Sequence, residues 1–140
     1  MEKESPNGPK PNSAWFAKKL AHWQDRLGLG GWLIGHKIVR GKKIYDEERK
    51  ITTLGRVTHH YPSAQAVIEF MRPDDLEVED WIFNYSAKYE TIYEVALVHE
   101  LLHLLFVPIV DLDWSEGMKA DEERIVETVA RVLVLGRVGN

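Results

Sequence analysis

Cysteine is absent from the chain, and that absence removes several chemistries at once. No disulfide framework, thiolate nucleophile or zinc–thiolate site can form, so any metal must be held by nitrogen and oxygen. A cysteine-free chain also suits a reducing compartment, and a cytoplasmic location is expected. Concentrated positive charge is lacking too: 18 Lys and Arg stand against 22 Asp and Glu, for a net charge of −4. The short pairs Lys18-Lys19 and Lys42-Lys43 do not change the acidic balance, so no nucleic-acid partner is expected. No run of about 18 apolar residues occurs, which argues against a membrane span. The opening MEKESPNGPKPN has no apolar core of the kind a secretory signal needs, so secretion is not expected either.

What is present suits a single globular domain. The 140 residues are 44 % hydrophobic and 29 % charged, enough to bury one core and too few for two. Residues 1–12, with three prolines and a glycine, read as a disordered tail, leaving 13–140 as the domain. Ser13 is placed to cap a helix whose Phe16, Leu20, Trp23 and Leu27 form one apolar stripe, ended by Gly28, Gly30 and Gly31. WLIGHKIV (32–39) has strand composition, and RGKKIYDEERK after it reads as an exposed connection. LGRVTHHY (54–61) and AQAVIEFM (64–71), joined through Pro62-Ser63, read as an antiparallel hairpin. RPDDLEVEDWIFNY is assigned as loop, with room for a short helical turn. Ser86 is the expected cap of a helix from Ala87 to Val107, stopped by Pro108. A last helix is expected from Lys119 to Leu135, with Ile125, Val126, Val129, Val132 and Leu133 as its apolar stripe and Gly136 following it. The five tryptophans, Trp15, Trp23, Trp32, Trp81 and Trp114, read as packing residues. The order predicts an α+β domain with helices packed on a small, mainly antiparallel three-stranded sheet.

Within the second helix lies VALVHELLHLLF (95–106). Residues four apart on a helix share a face, so His99 and His103 project imidazoles about one turn apart, close enough for both to bind one zinc ion. Glu100 stands beside them. Zinc lowers the pKa of a bound water to about 7, and a neighbouring carboxylate can take its proton as the water attacks a polarised carbonyl. A chance match to this spacing in a chain of this composition is on the order of a few in a hundred. The surrounding residues sharpen the signal, because three ionisable groups in an otherwise apolar helix are costly to bury without a shared partner. The competing reading is that the two histidines only satisfy hydrogen bonds in the core.

A catalytic zinc normally takes three protein ligands. Asp111, Asp113, Glu122, Glu123 and Glu127 all lie downstream of the motif. The aspartates can instead belong to a helix cap, with Asp113 and Glu116 forming a capping box, and the DEER run (121–124) can be acidic decoration at a helix start.

HELLH followed by EERIVE resembles the gluzincins, the thermolysin-like metallopeptidases, and in its brevity their minimal single-domain members (minigluzincins) and phage-type HELLH proteins. The motif-level likeness covers those two segments, and the order of elements extends it over roughly residues 13–136. The resemblance implies a zincin-like fold and a zinc metalloendopeptidase. His99, His103 and Glu123 would be the ligands, Glu100 the general base and Glu127 a support for one histidine, with Glu122 the alternative register for the third ligand. It also implies an extended peptide or protein substrate paired with the strand that borders the cleft. The larger members carry a His or Tyr oxyanion donor on a separate domain that this chain lacks, which leaves His59, His60 and Tyr61 as candidates. The alternative function is a non-catalytic or latent zinc-binding regulatory domain, and a third is a metal-free helical interaction domain.

Overall fold

The structure is a computed structural model and describes residues 6–46, 51–76, 88–110 and 116–136. Among these residues it is an α+β arrangement of three helices, a three-stranded sheet and a small two-stranded ladder.

The first helix, α1, spans Ser13–Arg26. Its cap is Asn12 rather than Ser13: the Asn12 side chain accepts from the Trp15 amide at 2.9 Å, satisfying one of the orphan donors of the first turn. Phe16, Leu20 and Trp23 are buried as the spacing predicts, and the chain leaves the helix through Gly28 at φ +72°, a conformation glycine adopts without strain. Residues 6–12, expected within a tail, hold to the body. Tyr89 N donates to Asn7 O at 3.0 Å, and Lys10 reaches Asp74 at 2.6 Å.

The sheet is built from β1 (Leu33–Val39), β4 (Gly55–His60) and β5 (Gln65–Met71), in the order β1-β5-β4. The β4–β5 hairpin is antiparallel as expected, from Gly55 opposite Phe70 to His60 opposite Gln65. Its 3-10 turn, Tyr61–Ser63, closes at Ala64 with φ 51°. β1, however, runs parallel to β5, from Leu33 opposite Gln65 to Val39 opposite Met71. The sheet is therefore mixed, not mainly antiparallel. Alternation of side chains says which face a residue takes but nothing about strand direction, so this pairing was not readable from β1.

The supposed exposed connection after β1 also has structure. Gly41–Ile44 forms a 3-10 turn that buries Ile44, and β2 (Tyr45–Asp46) pairs antiparallel with β3 (Ile51–Thr52). Pro73–Asp75 is a 3-10 turn, the short helical element for which the loop left room. The proposed cap Ser86, the loop residues Asp111 and Asp113, and Trp81 and Trp114 lie outside the described residues.

Ala66, Ile68 and Phe70 of β5 point to the helices, where Phe16 stacks on Phe70 at 4.3 Å and meets Tyr93 edge-on at 5.7 Å. The second helix, α2 (Tyr89–Val110), is the centre of the molecule and touches α1, β4 and the third helix. Its residues Ile92, Tyr93, Leu97, Val98 and Leu101 are fully buried, as expected for a helix that is apolar almost all round. Tyr93 donates its hydroxyl to Met71 O at 2.6 Å, and Trp23 Nε1 donates to the buried Glu94 at 2.6 Å, tying α1 to α2. α2 does not stop at Pro108 but continues to Val110. Proline removes one amide donor, here the one Leu104 O would receive, and the last turn tolerates that loss better than the interior.

The third helix, α3 (Glu116–Leu135), begins a turn before the expected start. Its buried seam is Val126, Ala130 and Val134, while Ile125, Val129 and Val132 stay exposed, so the predicted stripe is rotated. At the helix's polar end Glu122, Glu123 and Glu127 share that seam and contact the histidines of α2.

Candidate metal centre

α2 and α3 run antiparallel, so moving back one turn from His103 to His99 moves forward along α3 from Glu122 to Glu127. The rings of His99 and His103 lie 5.0 Å apart between centroids. Their Nε2 atoms converge on one carboxylate: His99 Nε2 is 3.2 Å from Glu123 Oε2, and His103 Nε2 is 3.0 Å from Glu123 Oε1. The opposite ring nitrogens are held as well. His99 Nδ1 bonds Glu127 Oε1 at 2.8 Å, and His103 Nδ1 bonds Glu122 Oε2. Arg131 Nε grips the other oxygen of Glu127 at 2.8 Å from the next turn.

Glu122 was the residue whose place sequence reasoning missed. Glu122, the alternative register for the third ligand, instead bonds His103 as Glu127 bonds His99. The available signal was the antiparallel course of α2 and α3, which puts a carboxylate opposite each histidine once Glu123 is centred between them.

Glu100 is buried at 9 % exposure, with Oε2 4.0 Å from His99 Nε2. It accepts a hydrogen bond from the backbone amide of Val57 in β4. Met71 N donates to Leu54 O, so Leu54 faces β5, and by alternation Gly55, Val57 and His59 turn their backbone groups to the outer edge of β4. The edge strand thus runs directly past the base candidate. Gly55 sits against it: a Cβ at this position would lie 3.4 Å from Glu100 Cγ.

The electrostatics follow the contacts. Burial opposes charge on His99, but Glu123 and Glu127 outweigh it and push the imidazole up to about 10. His103 shows the same contest, burial against Glu123, Glu100 and Glu122, and is also raised. The bonds from His103 and His99 hold the Glu123 carboxyl far below its usual range. Burial resists ionisation of Glu127, and its bonds to His99 and Arg131 overcome that and lower it. Glu100 goes the other way, raised by burial even with two imidazoles nearby.

His99, His103 and Glu123 form a group whose ligand atoms all lie within 4.8 Å of one another and could hold a metal ion. The donor set fits: two imidazoles whose Nδ1 atoms are engaged, leaving Nε2 aimed at a shared point, and one carboxylate only half buried. The three oxyanion-donor candidates make their contacts elsewhere. His59 meets Trp32 edge-on and Tyr61 lies tilted against the same ring, each at 6.4 Å between centroids. His60 Nδ1 bonds Ser63 Oγ at 2.8 Å and, opposite Gln65, belongs to the face of the sheet turned away from the helices. No helix among the described residues is long and apolar enough to cross a membrane. Compared with known families, curated proteins and solved structures, the chain matches none of them.

Proposed function

We propose that this protein is a zinc-dependent metallopeptidase of zincin-like architecture that hydrolyses peptide bonds, with Glu100 as general base. The observation that carries the reading is the convergence of both Nε2 atoms on Glu123 while each Nδ1 is fixed by its own carboxylate. A merely structural histidine pair needs no such matched outer support, whereas metal-ligating histidines almost always have it.

His99, His103 and Glu123 would hold the metal. When bound, zinc supplies Lewis acidity, polarising a carbonyl and making water acidic near neutral pH. The chain's own residues do the rest. Glu127, backed by Arg131, and Glu122 keep both rings oriented. Glu100, with its pKa raised by burial, is suited to take a proton from the attacking water and return it to the departing amine. The Val57 amide holds that carboxylate in place, and the remaining outward backbone groups of β4 offer an extended peptide a strand to pair with beside it.

A second reading, a latent or non-catalytic zinc-binding domain, is favoured by one observation: His59, His60 and Tyr61 are engaged with Trp32 and Ser63 rather than with the cluster. Two variants separate these readings. Protein purified without a metal-chelating tag is expected to carry one zinc per chain, and His103→Ala to carry none. Glu100→Gln should keep the zinc and lose cleavage of a mixed peptide library. Zinc-loaded parent protein that leaves every peptide intact supports the latent reading, and equal metal content in the parent and His103→Ala removes both.

A further inference from the structure

The sheet has two edges, and only one is committed. β4 lies against α2 and gives its Val57 amide to Glu100. β1 is the other edge. Leu33 N donates to Ala64 O and Val39 O accepts from Arg72 N, so Leu33, Gly35, Lys37 and Val39 direct their backbone groups to β5. Ile34, His36 and Ile38 therefore direct theirs away from the sheet, and among the described residues nothing bonds them there. Exposed edges are normally blunted by proline, bulges or several charges. β1 keeps unbroken register over seven residues, contains no proline and carries one charged side chain, Lys37. Leu33 is 72 % exposed and Ile38 37 %.

The sequence of this strand is nearly its own mirror. In LIGHKIV, isoleucine stands two places to either side of His36, and Leu33 and Val39 stand three places to either side. Gly35 and Lys37 are the immediate neighbours. An antiparallel partner with this sequence, centred on His36, satisfies every position. We infer that β1 is a homodimer interface, in which two copies pair their β1 strands antiparallel about His36 and join two three-stranded sheets into one.

In that register His36 exchanges N–H and C=O with the partner's His36, and Ile34 does the same with the partner's Ile38. The isoleucines meet on the helix-covered face and Leu33 meets the partner's Val39 on the other. Gly35 lies opposite the partner's Lys37 in a non-hydrogen-bonded pair, where side chains approach most closely. A lysine there never faces a lysine. The two-fold axis makes the contact isologous, so the assembly closes at two copies.

Position 35 supplies the test, because a Cβ there meets nothing within 4 Å, so a side chain can be added without steric displacement. Gly35→Glu faces the partner's Lys37 and should tighten the dimer dissociation constant by about fivefold, counting both symmetric pairs. Gly35→Lys sets like charges together and should weaken it by a similar factor. Sedimentation equilibrium from micromolar to submillimolar protein reads both, with circular dichroism verifying the fold. A nitroxide at Leu33 should show an inter-label distance of about 20 Å, six residues of antiparallel strand. A monomer at every concentration overturns the inference. So does a dimer that responds identically to both substitutions, or one that only Val132→Lys disrupts, which would place the contact on the exposed stripe of α3.

Discussion

At His99 and His103 the ring nitrogens are already sorted before any metal arrives: Nδ1 outward to a carboxylate, Nε2 inward to Glu123. That division is made by Glu127 and Glu122, and it predicts what their loss does. Glu127→Gln and Glu122→Gln should each weaken zinc binding by about 10- to 100-fold, as loss of outer support typically does, without unfolding the chain. Competition with a chromophoric chelator measures it. The two effects should combine in the double variant, since each carboxylate serves a different ring. If Glu122→Gln leaves affinity unchanged while Glu127→Gln does not, His103 is held by something other than Glu122. The HExxH residues were legible at this scale because helix geometry alone places i and i+4 on one face. Glu122 was not, since its job depends on the angle and register at which a second helix docks.

Helices and strands were legible where a period and a breaker coincided. α1 shows a 3.6-residue stripe ended by glycine, and the β4–β5 hairpin shows two short strand-like runs with Pro62 between them. Legibility failed where tertiary contacts outvoted local preference. Pro108 reads as a stop, yet α2 runs one turn further. Val129 and Val132 of α3 read as core, yet they face solvent, while Val126 is buried on the seam shared with the inward glutamates. Direction of β1 was invisible, and so was the β2–β3 ladder, whose strands are two residues each. Docking of α1 on α2 was likewise unreadable, because it depends on Trp23 meeting Glu94. Trp23→Phe deletes the donor at 2.6 Å from a carboxylate that is 8 % exposed and removes part of the indole's buried packing as well. The cost should be about 1–3 kcal/mol, measured by urea unfolding. A loss far below that would mean Glu94 finds an equivalent donor within the core.

For the whole molecule, the core and the metal group are separable. Phe16, Phe70, Tyr93 and Leu97 pack around the sheet away from the glutamates of α3, so chelation should lower the melting temperature while far-ultraviolet dichroism at room temperature stays unchanged. Zinc at 100 times its dissociation constant contributes about 2.7 kcal/mol, or roughly 5–10 °C for a domain of this size. The gap should depend on pH with a definite sign. In the chelated protein His99 is raised from 6.5 to about 10, so its stabilising contribution is complete below 6.5 and disappears as pH climbs through about 10. Glu123 is lowered, so its contribution is present above the ordinary carboxyl range and is lost as pH falls. Metal binding needs both rings neutral and strengthens over the window in which the proton-held form weakens. The difference in melting temperature between loaded and chelated protein should therefore widen from pH 6.5 towards 10, and a constant gap across that range would contradict the role given to these imidazoles.

The absence of a side chain at position 55 leaves Glu100 without a wall on one flank. Alanine there introduces a methyl group at 3.4 Å from Glu100 Cγ, at the short end of van der Waals contact. The exchange adds no charge and no polar atom. Gly55 therefore acts as a spacer, and enlarging it presses on the Glu100 side chain from the β4 flank.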